Sequence, residues 1–295
     1  MVFSYQSHED IGGRDINVLK SGEFQIKSKM PRMIAVTSGK GGVGKTNVVA
    51  NLSASLSEMG KKVVVLDADF GLANLDVLLG LTPRYHLGHV LYGDKTLNDI
   101  MIEGPKGIQI IPASSGLQPM SELTLTQLNY LLENFASLDQ DTDYFIIDTA
   151  AGISRNVTHF LLSAQDIIVV SAPEPPAIID AYAVIKIVLA EDRNKSIKVL
   201  INSADNAEAA QEIFCQINSV VKRFLNQEVE YLGHIERDQY VLQAVRSQML
   251  VTHRFPNAPA SRCFRDLAKR IAGCEDSARM AEGPIWEKLF NSWVQ

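Results

Sequence analysis

Eight residues, Gly39 to Thr46, have the types and spacing that bind phosphate: they read GKGGVGKT and fit the pattern G-x-x-x-x-G-K-[ST]. Glycines let backbone N–H groups turn towards a phosphate without a clash from Cβ, and a following helix presents its positive N-terminal end. Lys45 is then expected to contact the β and γ phosphates, and the Thr46 hydroxyl to bind Mg²⁺. The segment predicts a site for a nucleoside triphosphate with Mg²⁺. The residues assigned to it are Gly39, Lys40, Gly41, Gly42, Val43, Gly44, Lys45, Thr46 and Asn47.

Carboxylates follow two other apolar runs. Asp67 and Asp69 come after Val63 to Leu66, and Asp148 comes after Phe145 to Ile147. A carboxylate that leaves a dry strand beside a phosphate-binding loop can serve Mg²⁺ or its water shell, although aspartates in turns also occur because they bond their own backbone. We expect Asp67 and Asp148 to form the metal side of the site and Asp69 to orient the attacking water.

Short β-branched runs alternate with helical stretches from residue 33 onwards. Runs of this kind, buried on both faces and separated by helices, predict an α/β fold with a mostly parallel sheet and helices on both faces. Because ligands of such sheets bind at the carboxyl ends of the strands, the loop and the carboxylates are expected at one edge. The predicted strands are Ile34 to Val36, Val63 to Leu66, Ile108 to Ile111, Tyr144 to Ile147, Ile167 to Val170, Lys198 to Ile201 and Tyr231 to Leu232.

Composition narrows the functional class. The chain has 295 residues, 46% hydrophobic and 21% charged, with a net charge of -6, which argues against a protein whose main partner is bulk nucleic acid. The first ten residues lack the basic and apolar regions of a secretory signal, and no run of about 18 apolar residues occurs, so a cytoplasmic location is expected. The three cysteines, Cys215, Cys263 and Cys274, have no C-x-x-C spacing and suggest neither a zinc site nor a disulfide framework.

Three segments are expected along the chain: a flexible N-terminal tail (1–30), a nucleotide-binding domain (31–274) and a C-terminal amphipathic helix (275–295). The tail is polar and has no sustained period. In the last segment, apolar residues fall on one stripe if Pro284 starts a helix. That stripe suits a membrane interface, whereas the local excess of acidic residues favours docking on the domain itself, and both readings stay open. The stripe residues are Ile285, Trp286, Leu289, Phe290, Trp293 and Val294.

Four runs, TSGKGGVGKTNVVANLS, LDADFGLANLDVLLGLTP, IIDTAAGI and APEPPAIIDAYAVIK, resemble the deviant-P-loop (deviant Walker A) ATPases of the MinD/ParA group, and within it the flagellar-number regulators. The resemblance extends from Met33 to Ile271, and Lys40 is the additional lysine that separates this group from other P-loop NTPases. It implies a P-loop fold of the SIMIBI type, slow hydrolysis of ATP to ADP and phosphate, and an ATP-dependent homodimer.

The resemblance also assigns residues to the dimer interface. Lys40 would cross to the partner subunit's phosphates, Asp180 would hold that lysine, and Glu174 would approach the partner subunit's ribose. Phosphoryl transfer needs positive charge on the transferring group, so a lysine supplied in trans can act as an arginine finger does in GTPases.

Two segments match the family's adenine site. Asn202, at the end of a predicted strand, matches the asparagine that reads adenine, and Ser203 stands where the family usually has arginine. The segment from Ile235 to Arg237 resembles the one that packs on the other side of the base.

The partners implied by the resemblance are a flagellar master transcription activator and a signal-recognition-type GTPase. Some family members carry a glutamine-rich activator motif for that GTPase, and residues 1–30 hold no clear copy. A peripheral position at the inner face of the cell membrane and no direct nucleic-acid partner are expected.

Three other readings can be separated by experiment. A DNA-segregating ATPase would use the basic residues between Arg254 and Arg270 and bind DNA with steep salt dependence. An iron-sulfur carrier would need paired cysteines, which the spacing does not supply. A non-catalytic module would release no phosphate from Mg²⁺-ATP.

Overall fold

The computed structural model describes residues 31–69, 74–113, 138 and 142–273. The expected tail (1–30) and the whole of the expected C-terminal helix (275–295) lie outside these residues, so both stay predictions. Among the described residues, no helix has the length and apolarity needed to span a membrane. The strands are β1 (Arg32–Thr37), β2 (Val63–Ala68), β3 (Ile102–Glu103), β4 (Gln109–Ile111), β5 (Tyr144–Thr149), β6 (Asp166–Ser171), β7 (Ser196–Ala204) and β8 (Glu230–Glu236).

The eight strands form one sheet in the order β3-β4-β2-β5-β1-β6-β7-β8. All neighbouring pairs are parallel except β3–β4, which is antiparallel. The prediction of a mostly parallel sheet is confirmed, and each predicted strand overlaps an observed one. β3 was not predicted because two residues are too few to give a hydrophobic period.

Helices cover both faces of the sheet, as predicted. Along β1, Met33 and Ala35 belong to one buried cluster and Ile34 and Val36 to the other, which explains why the strand is apolar at consecutive positions. α5, α6 and α7 pack on the first face, and α1 and α10 on the second. The helices are α1 (Lys45–Glu58), α2 (Leu75–Leu79), α3 (Leu87–Leu91), α4 (Leu97–Ile100), α5 (Arg155–Ser163), α6 (Pro175–Glu191), α7 (Ala207–Leu225), α8 (Gln239–Arg246), α9 (Val251–Arg254) and α10 (Pro259–Gly273), with a 3₁₀ turn at Pro105–Gly107.

A buried carboxylate joins three strands at the edge of the sheet opposite the phosphate-binding loop. The Asp166 oxygens lie 2.7 Å from Arg32 Nε and 2.8 Å from Lys198 Nζ. Arg32 Nη1 also donates to the Ile271 carbonyl at 2.8 Å, which ties the end of α10 to β1. Burial alone would raise the pKa of Asp166, but the hydrogen bonds from Arg32 and Lys198 outweigh it and hold that pKa below its ordinary value. The cluster therefore stabilises the folded state through an ionised Asp166.

Asp166→Asn should lower the free energy of unfolding by about 3–5 kcal/mol at pH 7, because it removes the buried carboxylate that both Arg32 and Lys198 contact. A group whose pKa is lowered by folding stabilises above its unfolded pKa, so the difference from the parent should shrink as pH falls below about 4. Urea unfolding at several pH values measures both effects. Glu228→Gln, which breaks an exposed pair with Lys222, is the control and should barely move the midpoint. Equal effects of the two substitutions would contradict the prediction.

Candidate active site

The phosphate-binding loop connects β1 to α1, and two of its glycines have conformations that favour glycine. Gly42 has φ 82° and Gly44 has φ 88°, both in the left-handed region. A Cβ added at Gly41 or Gly42 would meet no atom within 4 Å, so the backbone is open there. The strand-loop-helix context that the sequence pattern requires is present.

The loop is pressed against two neighbouring segments. A Cβ added at Gly39 would lie 2.3 Å from the backbone carbon and oxygen of Asp180 on α6. The Asn202 side chain donates from Nδ2 to the Val43 carbonyl at 2.7 Å. Two residues assigned by resemblance, Asp180 and Asn202, are thus in contact with the loop.

Lys45 and the aspartates converge at the carboxyl ends of β2 and β5. Lys45 Nζ lies 2.5 Å from Asp148 Oδ1, and both side chains are buried. Asp67 pairs in register with Asp148 on the neighbouring strand, and its oxygens accept backbone N–H groups of Asp69, Asn74 and Leu75. Asp67 and Asp148, the two carboxylates that the sequence predicts on the metal side of the site, therefore lie side by side.

The two carboxylates repel each other in a dry environment. Burial, followed by the charge of Asp148, raises the pKa of Asp67 to about 7. Burial also raises the pKa of Asp148, although Lys45 acts in the opposite direction. Two buried carboxylates and the Thr46 hydroxyl are hard oxygen donors, which suits Mg²⁺ and would relieve the repulsion.

A cleft of about 610 Å³ opens in front of the loop, a volume typical of small-molecule sites. Asp69 lines this cleft, and its role in orienting water stays a prediction. Sequence analysis missed the opposite wall, where Gln248 Nε2 donates to the Val77 carbonyl at 2.8 Å. No local signal could reveal that contact, since it joins residues 171 positions apart. The other lining residues are Ser38, Gly41, Gly42, Gly44, Lys45, Thr46, Asn47, Asn74, Leu78, Ala151 and Val245.

Lys40 lies at the exposed rim of the loop. Its Nζ is 2.5 Å from Glu174 Oε2, and the two side chains are 30% and 60% exposed. The hydrogen bond from Lys40 holds the pKa of Glu174 below its ordinary value. Within a single chain Lys40 therefore contacts Glu174 rather than Asp180. The roles of these three residues across a dimer interface stay predictions.

The segment from Ile235 to Arg237, which the resemblance assigns to the adenine base, has one buried and one exposed end. Ile235 is 1% exposed and belongs to the core, so its side chain supports β8. Arg237 Nε lies 3.5 Å from Asp205 Oδ1 at the surface, and the Arg237 N–H donates to the Ala204 carbonyl. Ser203 has φ 58°, a strained value for a residue other than glycine. Of the assigned pair, Arg237 is the residue whose side chain is accessible.

The sequence did not predict a second feature, a network of polar side chains between α1 and α9. The buried Asn51 side chain donates to the Asn47 carbonyl and Oδ1, at 2.9 and 2.7 Å, and accepts from the N–H and hydroxyl of Thr252. Asn51 therefore connects the first turn of α1 to α9. A polar residue at a buried helix position is the one signal that the sequence offered.

A glycine-rich loop between β1 and α1, with its lysine on a carboxylate at the end of β5, defines a P-loop nucleoside triphosphatase of the α/β class. Residues 31–199 match the protein family described as "AAA domain" (AAA_31). Antiactivator FleN of Pseudomonas aeruginosa is 41% identical over 84% of this chain and 89% of that protein. Flagellum site-determining protein YlxH of Helicobacter pylori is 35% identical over 86% of this chain and 86% of that protein.

Solved structures with a similar fold indicate the same class of P-loop protein. The chain superposes on the MinC:MinD cell division protein complex of Aquifex aeolicus with a TM-score of 0.67 at 27% identity, covering 86% of this chain and 97% of that one. For the septum site-determining protein MinD of Pyrococcus horikoshii, complexed with Mg-ADP, the TM-score is 0.65 at 27% identity, covering 82% and 96%. The chain therefore belongs to the MinD/ParA-type P-loop ATPases. Its activity is ATP hydrolysis, and flagellar regulators are among its relatives.

Gly39→Ala should destabilise the nucleotide-free protein by about 1–3 kcal/mol, because the new methyl group meets the Asp180 backbone. Gly41→Ala is the matched control: it lies in the same loop, also outside the left-handed region, and its methyl group meets nothing within 4 Å. Thermal unfolding without nucleotide measures the difference. If the two variants melt together, the close approach of the loop to α6 is not a packing constraint.

Proposed function

We propose that this chain is a switch ATPase that dimerises when it binds ATP and regulates flagellar number or placement. The observation that carries the ATP chemistry is the buried contact of Lys45 with Asp148 beside Asp67, in front of an open glycine loop. Similarity to the antiactivator FleN and to the flagellum site-determining protein YlxH supports the biological role.

In this proposal each residue has one task. Lys45 leaves Asp148 for the β and γ phosphates, and Thr46, Asp67 and Asp148 hold Mg²⁺ or its water shell. Mg²⁺, when bound, neutralises the charge of the phosphates. Asp69 positions the attacking water from the wall of the cleft, and Asn202 and Arg237 bind the base.

Exposed apolar residues around the cleft support self-association. Val77 is 60% exposed, Ile153 52% and Ile179 66%. Val77 lines the cleft, Ile153 follows Gly152, whose N–H donates to the Ser38 carbonyl, and Ile179 precedes Asp180. A homodimer formed through this edge would bury them and bring Lys40, released from Glu174, to the partner subunit's phosphates.

The further partners belong to the same proposal. A flagellar transcription activator would bind the ATP-held dimer. A signal-recognition-type GTPase would bind the protein in the same nucleotide state. Residues 275–295 would contact the inner face of the membrane. The basic residues considered for DNA binding are partly engaged elsewhere: Arg270 donates to the Leu232 carbonyl and Lys269 pairs with Asp266. This engagement does not favour the DNA-segregation reading.

Lys40→Ala should bind Mg²⁺-ATP with nearly parental affinity yet lose at least about tenfold in hydrolysis, since it removes charge from the transferring group. Lys45→Ala should instead lose nucleotide affinity. Fluorescent-nucleotide titration and phosphate release measure the two quantities. Lys186→Ala, an exposed lysine on α6, serves as the control and should keep both. Parental hydrolysis by Lys40→Ala would refute a lysine supplied in trans.

Asp69→Ala should bind ATP, slow its hydrolysis and remain dimeric in ATP, because only the positioning of water is lost. Size-exclusion chromatography with light scattering measures the mass, and Asp94→Ala, an exposed aspartate, is the control.

The ATP-held dimer then becomes bait for the flagellar transcription activator, with Lys45→Ala as the nucleotide-free comparison. A monomer in ATP would contradict the switch, and equal capture by both baits would contradict nucleotide-controlled regulation.

A further inference from the structure

Three side chains with metal-binding atoms meet at the β8 end of the described sheet, three strands away from β1 and its phosphate-binding loop. His234 and Glu236 lie on the edge strand β8, and Cys263 lies on α10. One ligand atom of each, a ring nitrogen, a carboxylate oxygen and the Sγ, lies within 4.8 Å of the other two. All three residues are partly buried.

The backbone around this cluster is held closely. Arg270 Nη1 donates to the Leu232 carbonyl at 2.9 Å, which fixes α10 beside β8. Gly233 has φ 145°, in the region that favours glycine, and a Cβ there would lie 2.8 Å from Leu267 Cδ2, so the strand packs closely against the Leu267 side chain of α10. The positions of the three ligand residues therefore follow from packing.

Second interactions orient two of the ligands. Tyr231 Oη lies 3.3 Å from His234 Nδ1, so when Nδ1 donates to the phenol, Nε2 is left with a free lone pair. A backbone hydrogen bond from Glu236 acts on the Cys263 thiol and lowers its pKa, against the larger opposite effect of burial. Outer contacts of this kind are typical of metal sites, where they fix the ring and support the thiolate.

We propose that His234, Glu236 and Cys263 form a binding site for a transition-metal ion of the Zn²⁺ class. Nitrogen, oxygen and sulfur donors together suit Zn²⁺ and not Mg²⁺, so the site is chemically distinct from that of the nucleotide. In a tetrahedral zinc site the ligand atoms are about 3.5 Å apart. Side-chain rotations that move the ligand atoms by roughly 1 Å would bring them to this distance. Three protein ligands leave the fourth position to water.

Protons and a metal ion compete for these ligand atoms. Burial lowers the pKa of His234. Burial raises the pKa of the Cys263 thiol, so an ion must displace a proton when it binds. An ion there would also fasten the end of β8, next to Arg237 of the proposed base-binding segment.

Co²⁺ is the spectroscopic probe, because a thiolate ligand gives it a charge-transfer band in the near ultraviolet. The untagged full-length protein would carry Cys215→Ser and Cys274→Ser, so that Cys263 is the one remaining thiol. It is stripped with a chelator and titrated with Co²⁺, without nucleotide and with excess Mg²⁺. We expect the thiolate band, and its loss when Zn²⁺ is added.

Four further substitutions on this background test the three ligands and the tyrosine that orients His234. Cys263→Ser should abolish the band, His234→Gln and Glu236→Gln should weaken Co²⁺ binding more than tenfold, and Tyr231→Phe should weaken it about tenfold. Circular dichroism checks the fold, and if Cys263→Ser is unfolded, the two glutamine variants decide. No thiolate band in the background protein, or parental affinity in both glutamine variants, would overturn the proposal.

Discussion

A buried ion pair between Lys45 and Asp148 is the interaction on which the site depends. Taking a lysine and a carboxylate out of water costs several kcal/mol per ion, so the pair is stable only because the two charges lie in direct contact. Asp67, in register on the next strand, adds a second carboxylate and makes the arrangement electrostatically incomplete. In the proposed function, phosphate for Lys45 and a divalent cation for the two carboxylates would complete it.

The parallel sheet is the constraint that brings these residues together. Because β1, β2 and β5 are adjacent and run in one direction, their carboxyl ends deliver the glycine loop, Asp67 and Asp148 to one edge. At the opposite, amino-terminal ends of the strands, Asp166 pairs with Arg32 and Lys198. The balance of charges therefore differs between the two edges. At one, the carboxylate is fully paired and stabilises the fold; at the other, two carboxylates share one lysine, which is the arrangement expected of a functional site.

Contacts around the loop connect nucleotide binding to more distant segments. Asn202 on Val43, Gln248 on Val77 and Asn51 on Thr252 each join the cleft to an element that follows much later in the chain. The Lys40 pair with Glu174 is different, since both side chains are substantially exposed and the pair is weak in water. A weak, exposed pair can be exchanged for another partner at small cost, which suits a lysine that has to move.

The sequence by itself determined the phosphate-binding loop, the α/β class and the positions of the main strands along the chain. Each of these depends on local spacing: glycines and a lysine at fixed positions, and apolar runs buried on both faces. It also placed Asp67, Asp69 and Asp148 at strand ends. Only the tertiary structure decided which side chains meet: that Lys40 contacts Glu174, that Ile235 belongs to the core, and that Cys263 lies beside His234 and Glu236. The physical reason is that a hydrophobic period fixes which face of an element is buried, whereas contacts between residues far apart in the chain depend on how the elements pack.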